Sequence, residues 1–162
     1  MAHSVGTRSP LVIAHRGASY KAPENTLAAY NLAWKLNSDA IEIDIRKTKD
    51  GFLVCSHDNN LNRISSNRKS ISSMLLSELT KVDVGSWKSK EYKNERMPLL
   101  SKVLSTIPKG KKVFIEIKGA LKEIDELIMI VKKSKLKIKD CHFLSYIPAN
   151  IIKIKKDFPN FK

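Results

Sequence analysis

The sequence is poor in cysteine and in aromatic residues, and it contains no long apolar run. It has 2 Cys among 162 residues, and aromatic side chains make up 7%. Cys55 and Cys141 lie in separate apolar runs, so we expect two buried free thiols rather than a disulfide. No run reaches the about 18 apolar residues of a membrane-spanning helix, and residues 1–10 lack the apolar core of a signal peptide. We therefore expect a soluble, cytoplasmic protein.

Acidic residues are scarce, with 16 Asp and Glu against 30 Lys and Arg, which gives a net charge of +14. The basic residues are scattered and comprise 24 Lys and 6 Arg, and they do not alternate with aromatic residues as in a base-stacking surface. Nucleic acid is therefore not the expected partner. A solvated lysine-rich surface is favoured. Attraction to anionic substrates, or peripheral contact with a membrane, is the alternative, and the oligomeric state is not indicated.

The length favours one domain, 1–162, and no internal repeat or linker interrupts it. Residues 59–97 have no clean periodicity and predict a long excursion with short helices, one of them around 73–79. Helices separate most of the remaining strands, which predicts a parallel sheet covered by helices, with its site at the carboxyl ends of the strands. Strands are predicted at 11–14, 40–45, 52–57, 112–118 and 141–146, and helices at 27–34, 99–107, 121–131 and 151–158.

Charged residues alternate with isoleucine in two of these strands. Glu42 and Asp44 share one face of the second strand, and Glu116 lies on the corresponding face of the fourth. Each pattern alone is common in an edge strand. In a parallel sheet both faces are covered, and buried carboxylates must then be paired or bind a cation. Three carboxylates favour a hard divalent cation such as Ca²⁺ or Mg²⁺, and zinc is a weak alternative.

Two histidines and two cations stand near the predicted carboxyl ends of strands. His15 and His57 each close a strand and titrate near neutral pH, which suits proton transfer. Arg16 and Lys118 add positive charge where a phosphate could bind. His142 lies inside the fifth strand, where a packing role is expected, and His3 is assigned no role.

Five segments, taken in order, resemble the signatures of the glycerophosphodiester phosphodiesterase family. They read "AHRGASYKAPENT", "DAIEIDIRKTKDG", "CSHDNNLNR", "GSWKSKEYKNERMPLL" and "VFIEIK". The resemblance implies a (β/α)₈ TIM-type barrel with a small insertion after the third strand, here residues 59–97. It also implies hydrolysis of glycerophosphodiesters to glycerol 3-phosphate and an alcohol with the help of a divalent cation.

The same resemblance assigns individual roles. Glu24 corresponds to a family acid at the mouth of the site and is treated as auxiliary. The other roles are metal binding by Glu42, Asp44 and Glu116, acid–base catalysis by His15 and His57, and phosphate contact by Arg16 and Lys118. Which histidine is the acid is left open, as is the preferred head group.

A full barrel of this type takes roughly 250 residues, whereas this sequence supplies about five strand–helix units. We therefore expect an incomplete, C-terminally truncated barrel domain whose isolated chain has little activity and whose three carboxylates face water. Two further interpretations stay open. One is a non-catalytic remnant of such an enzyme, and the other is a phospholipase D-like enzyme acting on lipid head groups.

Overall fold

The computed structural model describes residues 10–120 and 124–161, which form one five-stranded sheet with helices packed against it. The parallel strands follow the spatial order β1-β2-β4-β5, and β3 pairs with β2. All five predicted strands are present, so the βα architecture expected from the sequence is confirmed. The strands are β1 Ile13–Ala14, β2 Ala40–Lys47, β3 Leu53–Cys55, β4 Lys112–Ile117 and β5 Cys141–Leu144.

The third strand runs antiparallel to β2, which corrects the expectation that all five strands are parallel. Ile45 lies opposite Cys55, and Lys47 lies opposite Leu53. The connection is a short turn closed by the bond from the Thr48 N–H to the Phe52 carbonyl, with Gly51 at a positive φ of 95°. So short a connection can reverse the chain but cannot make the crossover that a parallel neighbour needs. The sheet therefore contains four parallel strands, and residues 59–97 follow a hairpin.

Five α-helices accompany the strands in the part of the chain that the structure describes, and several have identifiable boundaries. Helix α1 begins after Thr26, whose hydroxyl accepts the Ala29 N–H, and α5 has Pro148 in its first turn. The predicted residues 121–123 of the fourth helix lie outside the described residues. The helices are α1 Leu27–Lys35, α2 Leu76–Leu79, α3 Leu100–Leu104, α4 Ile124–Lys133 and α5 Pro148–Asp157.

Two apolar cores organise the described residues. The larger lies between the sheet and the helices, where Ile41, Ile43 and Ile45 of β2 are buried. The smaller core belongs to the insertion and includes Leu61, with β3 contributing Val54. Because the isoleucines of β2 fill the helix-covered face, its alternating acidic residues lie on the opposite face. Both cysteines are buried free thiols, as predicted.

Candidate active site

Three carboxylates converge on one face of the neighbouring strands β2 and β4. Asp44 lies directly beside Glu116 in the parallel register, and Glu42 stands two residues earlier on the same face of β2. One ligand oxygen from each lies within 4.8 Å of the others. Glu42 is 6% exposed and Asp44 is fully buried. The expectation that these carboxylates face water is therefore wrong, because the segment after β1 and the side chain of Lys118 cover them.

Asp44 is the most enclosed of the three, and it contacts donors on both oxygens. Its Oδ2 lies 3.1 Å from Nε of Arg16 and accepts a 2.9 Å hydrogen bond from Asn25 Nδ2. Its Oδ1 lies 3.1 Å from Nζ of Lys118. Asn25 is itself fixed, since its Oδ1 accepts bonds from the Tyr30 hydroxyl at 2.7 Å and from the Asp44 N–H at 3.2 Å. Burial of this charge is thereby compensated.

Glu42 is less completely compensated. Its Oε2 accepts a 2.9 Å hydrogen bond from the backbone N–H of Arg16, whereas its buried Oε1 receives no hydrogen bond from any described residue. Burial, followed by the repulsion from Asp44, raises the pKa of the Glu42 carboxyl to about 7. A cation beside Oε1 would favour the ionised form.

Lys118 follows β4 and bridges two of the acids. Its Nζ lies 2.7 Å from Glu116 Oε1 and 3.1 Å from Asp44 Oδ1. The ammonium group therefore neutralises part of the charge that a metal ion would neutralise. The all-carboxylate donor set and the uncompensated Glu42 oxygen fit a hard divalent cation.

His15 and Arg16 occupy a turn directly after β1, at the same end of the sheet. Arg16 has a positive φ of 55°, and Gly17 follows at 78°. The turn aims the Arg16 guanidinium at Asp44 and Glu24. Nε2 of His15 lies 4.0 Å from Glu42 Oε2, and two thirds of the imidazole is exposed. A largely exposed ring beside a buried carboxylate can exchange a proton with a bound substrate.

His57 reaches the site from the end of β3. Its Nδ1 lies 2.7 Å from Asp58 Oδ1, and its carbonyl accepts a 2.8 Å hydrogen bond from Arg46 Nε. Arg46 NH1 also donates to the Lys118 carbonyl at 3.3 Å, so one side chain joins the ends of β3 and β4. Because β3 runs antiparallel to β2, His57 lies at the same end of the sheet as His15.

A chain of ion pairs links the turn that carries His15 to the segment that carries His57. Arg63 Nε donates to Asp58 Oδ2 at 2.9 Å, and its NH1 and NH2 donate to Glu24 at 2.6 and 2.8 Å. Glu24 in turn accepts from Arg16 NH1 at 3.0 Å. Partial burial acts to raise the pKa of Glu24, but the hydrogen bonds and charges of Arg63 and Arg16 outweigh it and lower that pKa below its usual value.

The seven site residues predicted from the sequence lie at this end of the sheet together with Glu24, whereas the side chains that support them were not predicted. His142 stacks on Phe114 at 4.5 Å, in accord with its expected packing role. The overlooked supports are Asn25, Tyr30, Arg46, Asp58 and Arg63. Asn25 belongs to the motif "PENT", and Asp58 and Arg63 belong to "HDNNLNR". Membership of these motifs was the sequence signal that could have identified the three residues as part of the site. His3 lies outside the described residues.

No helix among residues 10–120 and 124–161 is long and apolar enough to cross a bilayer.

Comparisons with known proteins agree with this geometry. Protein YhdW of Bacillus subtilis (strain 168) is 44% identical over 108 residues, covering 67% of this chain and 44% of that protein. A glycerophosphodiester phosphodiesterase of Caldanaerobacter subterraneus subsp. tengcongensis is 41% identical over 114 residues, covering 68% of this chain and 46% of that protein. The chain thus spans less than half the length of these two relatives.

A solved structure has the same fold. An Oleispira antarctica phosphodiesterase, in complex with the product sn-glycerol-3-phosphate, superposes with a TM-score of 0.88 and 32% identity. The match covers 94% of this chain and 64% of that one. Such neighbours establish the TIM-barrel type of the fold, of which the four parallel strands form part. The profile of the glycerophosphoryl diester phosphodiesterase family matches residues 15–146, and the chain belongs to that family.

Proposed function

We propose that this chain carries the catalytic half of an enzyme that hydrolyses glycerophosphodiesters to glycerol 3-phosphate and an alcohol. The observation that carries the proposal is the convergence of three carboxylates, two histidines and two cationic side chains at one end of the sheet. A related phosphodiesterase has been solved with sn-glycerol-3-phosphate as its product, which supports this substrate class.

Glu42, Asp44 and Glu116 are proposed to hold a divalent cation, Ca²⁺ or Mg²⁺. When bound, such an ion withdraws charge from the phosphoryl oxygens. Lys118 now lies beside Asp44 and Glu116 at 2.7–3.1 Å, and Arg16 lies beside Asp44. With an ion balancing the acids, both side chains are available to a phosphate, Arg16 through its planar fork and Lys118 as a point charge.

His57 is proposed as the general base. The ionised Asp58 can only accept a hydrogen bond, so Nδ1 of His57 carries the hydrogen between them and Nε2 is left with a lone pair. Nε2 would take the proton of the attacking oxygen, which belongs either to water or to the neighbouring glycerol hydroxyl. Asp58 then stabilises the imidazolium that forms.

His15 is proposed as the general acid. Its Nε2 lies 4.0 Å from Glu42 Oε2, at the same end of the sheet as the three carboxylates. The ring would donate its proton to the alkoxide that leaves when the phosphorus–oxygen bond breaks. Each turnover then moves one proton to His57 and one from His15, and exchange with solvent restores both rings.

A phosphodiesterase assay tests the function. We expect release of glycerol 3-phosphate from glycerophosphocholine with Ca²⁺ or Mg²⁺, and loss of release with a chelator. His15→Ala and His57→Ala should each lower turnover by about a hundredfold or more. His142→Ala is the matched control, because its ring stacks on Phe114 and has no proposed part in proton transfer. A comparable loss in folded His142→Ala would contradict the assignment.

The leaving group separates the two histidine roles. A substrate with a p-nitrophenolate leaving group needs little protonation, so it should restore much of the turnover of His15→Ala and little of that of His57→Ala. The reverse pattern would exchange the acid and the base.

Two further expectations from the sequence remain predictions. Cytoplasmic localisation follows from the sequence only. We also expect little activity from the 162-residue chain by itself, so the assay includes a chimera that adds the C-terminal part of a full-length relative.

A further inference from the structure

A second feature lies at the end of the sheet opposite the candidate site. A cavity of about 550 Å³ opens between the loop that leads into β4 and the loop that leads into β5. The first loop spans 107–111 and ends at Lys112, the first residue of β4, and the second spans 135–140. Both precede their strands, whereas Asp44 and Glu116 lie towards the strands' carboxyl ends. The basic groove, as we name this cavity, is lined by Lys109, Lys111, Lys112, Lys135, Lys137 and Lys139.

The positive charge of the basic groove is largely uncompensated. Asp140 is the single acidic residue of the lining, and it pairs with Lys112 at 3.0 Å. Lys111 donates to the amide oxygen of Asn37 at 3.2 Å, which leaves its charge in place. Within the described part of the chain, the other four lysines form no ion pair, and all four are exposed.

Interaction with helix dipoles accounts for the lysines at the ends of α4 and α5 but not for the lysines of the basic groove. Lys132 and Lys133 end α4, and Lys155 and Lys156 lie in the last turn of α5, where cations offset the negative end of the helix dipole. The groove lysines lie in loops beyond α3 and α4, where this effect fades within a turn. Their charge therefore adds to that of the helix ends and produces one broad basic surface.

The chemistry of the lining indicates what this surface binds. It contains lysine and no arginine, so it offers point charges and no planar fork for bidentate binding of a single phosphate. The exposed side chain of Ile138 stands between Lys137 and Lys139 and adds an apolar contact. Clustered lysines around apolar side chains suit a surface carrying many anionic head groups.

We propose that the basic groove and its flanking helix ends contact an anionic phospholipid surface. This binding surface is separate from the catalytic site and does not depend on the proposed activity. The orientation would hold the carboxyl ends of the strands away from the lipid. His15, Arg16 and Lys118 would then face the aqueous phase, which suits a water-soluble diester as substrate.

Vesicle co-sedimentation of the full chain tests the proposal. We expect binding to phosphatidylcholine vesicles that contain phosphatidylserine, weak binding to phosphatidylcholine alone, and release by salt. Reversal of charge in Lys135→Glu/Lys137→Glu/Lys139→Glu should weaken binding by about a hundredfold. The matched control is Lys81→Glu/Lys90→Glu/Lys93→Glu, which makes the same change in net charge at exposed positions of the insertion.

The outcomes separate the proposal from its alternatives. Retained binding in the control and loss in the groove variant support it, provided that circular dichroism shows both variants folded. An equal loss in both variants would overturn it, because net charge alone would then account for the binding. Absence of binding to phosphatidylserine vesicles, or displacement of the chain from them by low concentrations of inorganic phosphate or of DNA, would also overturn it.

Discussion

Glu42 is the residue at which fold and function oppose each other most directly. Its carboxyl is buried beside Asp44, and its Oε1 receives no hydrogen bond from the described residues. An ionised carboxylate in this position costs folding free energy unless a cation is present. A site that binds a metal ion commonly accepts such a cost, because the same charge supplies the binding energy.

The raised pKa of Glu42 gives a pH-dependent stability. Its folded value of about 7 exceeds the ordinary value of 4.5. The fold therefore favours the protonated form, and this contribution to the free energy of unfolding is present below about pH 4.5 and lost as the pH rises to about 7. We expect Glu42→Gln to gain stability relative to the unsubstituted chain over that window in metal-free buffer, measured by urea denaturation.

A divalent cation should reverse this trend. Added Ca²⁺ or Mg²⁺ should stabilise the unsubstituted chain at about pH 8 and stabilise Glu42→Gln much less, because binding to the folded state alone raises stability. Glu126→Gln is the control, since Glu126 is exposed on α4. A constant difference between Glu42→Gln and the unsubstituted chain across the pH range would contradict the account.

Arg63 lies outside the proposed catalytic set, and it contacts the residue that orients His57. It holds Asp58, which accepts the Nδ1 hydrogen of His57, and it also binds Glu24. We expect neutral His57 to carry its hydrogen on Nδ1, and Arg63→Met to shift the ring towards the Nε2–H tautomer. Long-range ¹H–¹⁵N NMR of the imidazole measures this directly.

The Arg63 experiment has a natural control and a rescue. Within residues 10–120 and 124–161, Arg96 donates hydrogen bonds to the carbonyls of Lys93 and Glu95 and to no group near His57, so Arg96→Met should leave the His57 tautomer unchanged. Arg63→Lys keeps the charge but not the fork, and it should restore the tautomer in part. An unchanged Nδ1–H tautomer in Arg63→Met would show that Asp58 positions His57 unaided.

At the scale of the element, the connection from β1 to α1 determines where Arg16 points. Gly17 has a φ of 78°, and a Cβ there would lie 2.7 Å from the carbonyl carbon of Ala29 in α1. Gly51 in the β2–β3 turn also has a positive φ, of 95°, but a Cβ there would meet nothing within 4 Å. An alanine at either position would have a strained left-handed backbone, but only at Gly17 would its Cβ also collide with α1.

Alanine at these two glycines separates strain from contact. Gly51→Ala should lower the free energy of unfolding by about 1 kcal/mol, from the left-handed backbone alone. Gly17→Ala should cost clearly more, because α1 must move away from the turn that carries His15 and Arg16. Urea denaturation of both variants provides the comparison, and equal losses would show that the turn absorbs the methyl group without displacing α1.

The elements also show how far sequence reasoning reached. The alternation in β2 correctly placed Glu42 and Asp44 on one face, because side-chain direction in a strand follows from local geometry. The direction of β3 was wrong, since it depends on how sharply residues 48–52 turn. The link from Arg63 to Glu24 joins residues 39 positions apart. Such a pairing depends on the packing of the whole insertion, so hydrophobic periodicity could not reveal it.

For the whole molecule, the sheet separates two kinds of charged surface. The carboxyl ends of the strands carry the acidic cluster with its histidines, and the amino ends carry the basic groove. The net charge of +14 therefore says little about the candidate site. Four lysines that form no ion pair with the described residues lie at the opposite end: Lys109, Lys135, Lys137 and Lys139.

The outer strands β1 and β5 expose apolar side chains, and this exposure is expected to lower the activity of the chain by itself. Leu11, Val12 and Ile13 are 54%, 61% and 41% exposed beside β1, and Leu144 at the end of β5 is 41% exposed. Because exposed strands are open to association and to motion, we expect faster hydrolysis of glycerophosphocholine by the chimera than by the 162-residue chain. Equal turnover by a monomeric 162-residue chain, sized by sedimentation, would contradict this expectation.

The central claim is that Glu42, Asp44 and Glu116 form a divalent cation site, and calorimetric titration of the purified chain with Ca²⁺ and Mg²⁺ tests it most directly. We expect one cation per chain, and binding weakened by about tenfold or more in Glu116→Gln. The exposed control Glu126→Gln should bind like the unsubstituted chain. Equal binding by Glu116→Gln and the unsubstituted chain, or absence of binding by the folded unsubstituted chain, would contradict the account.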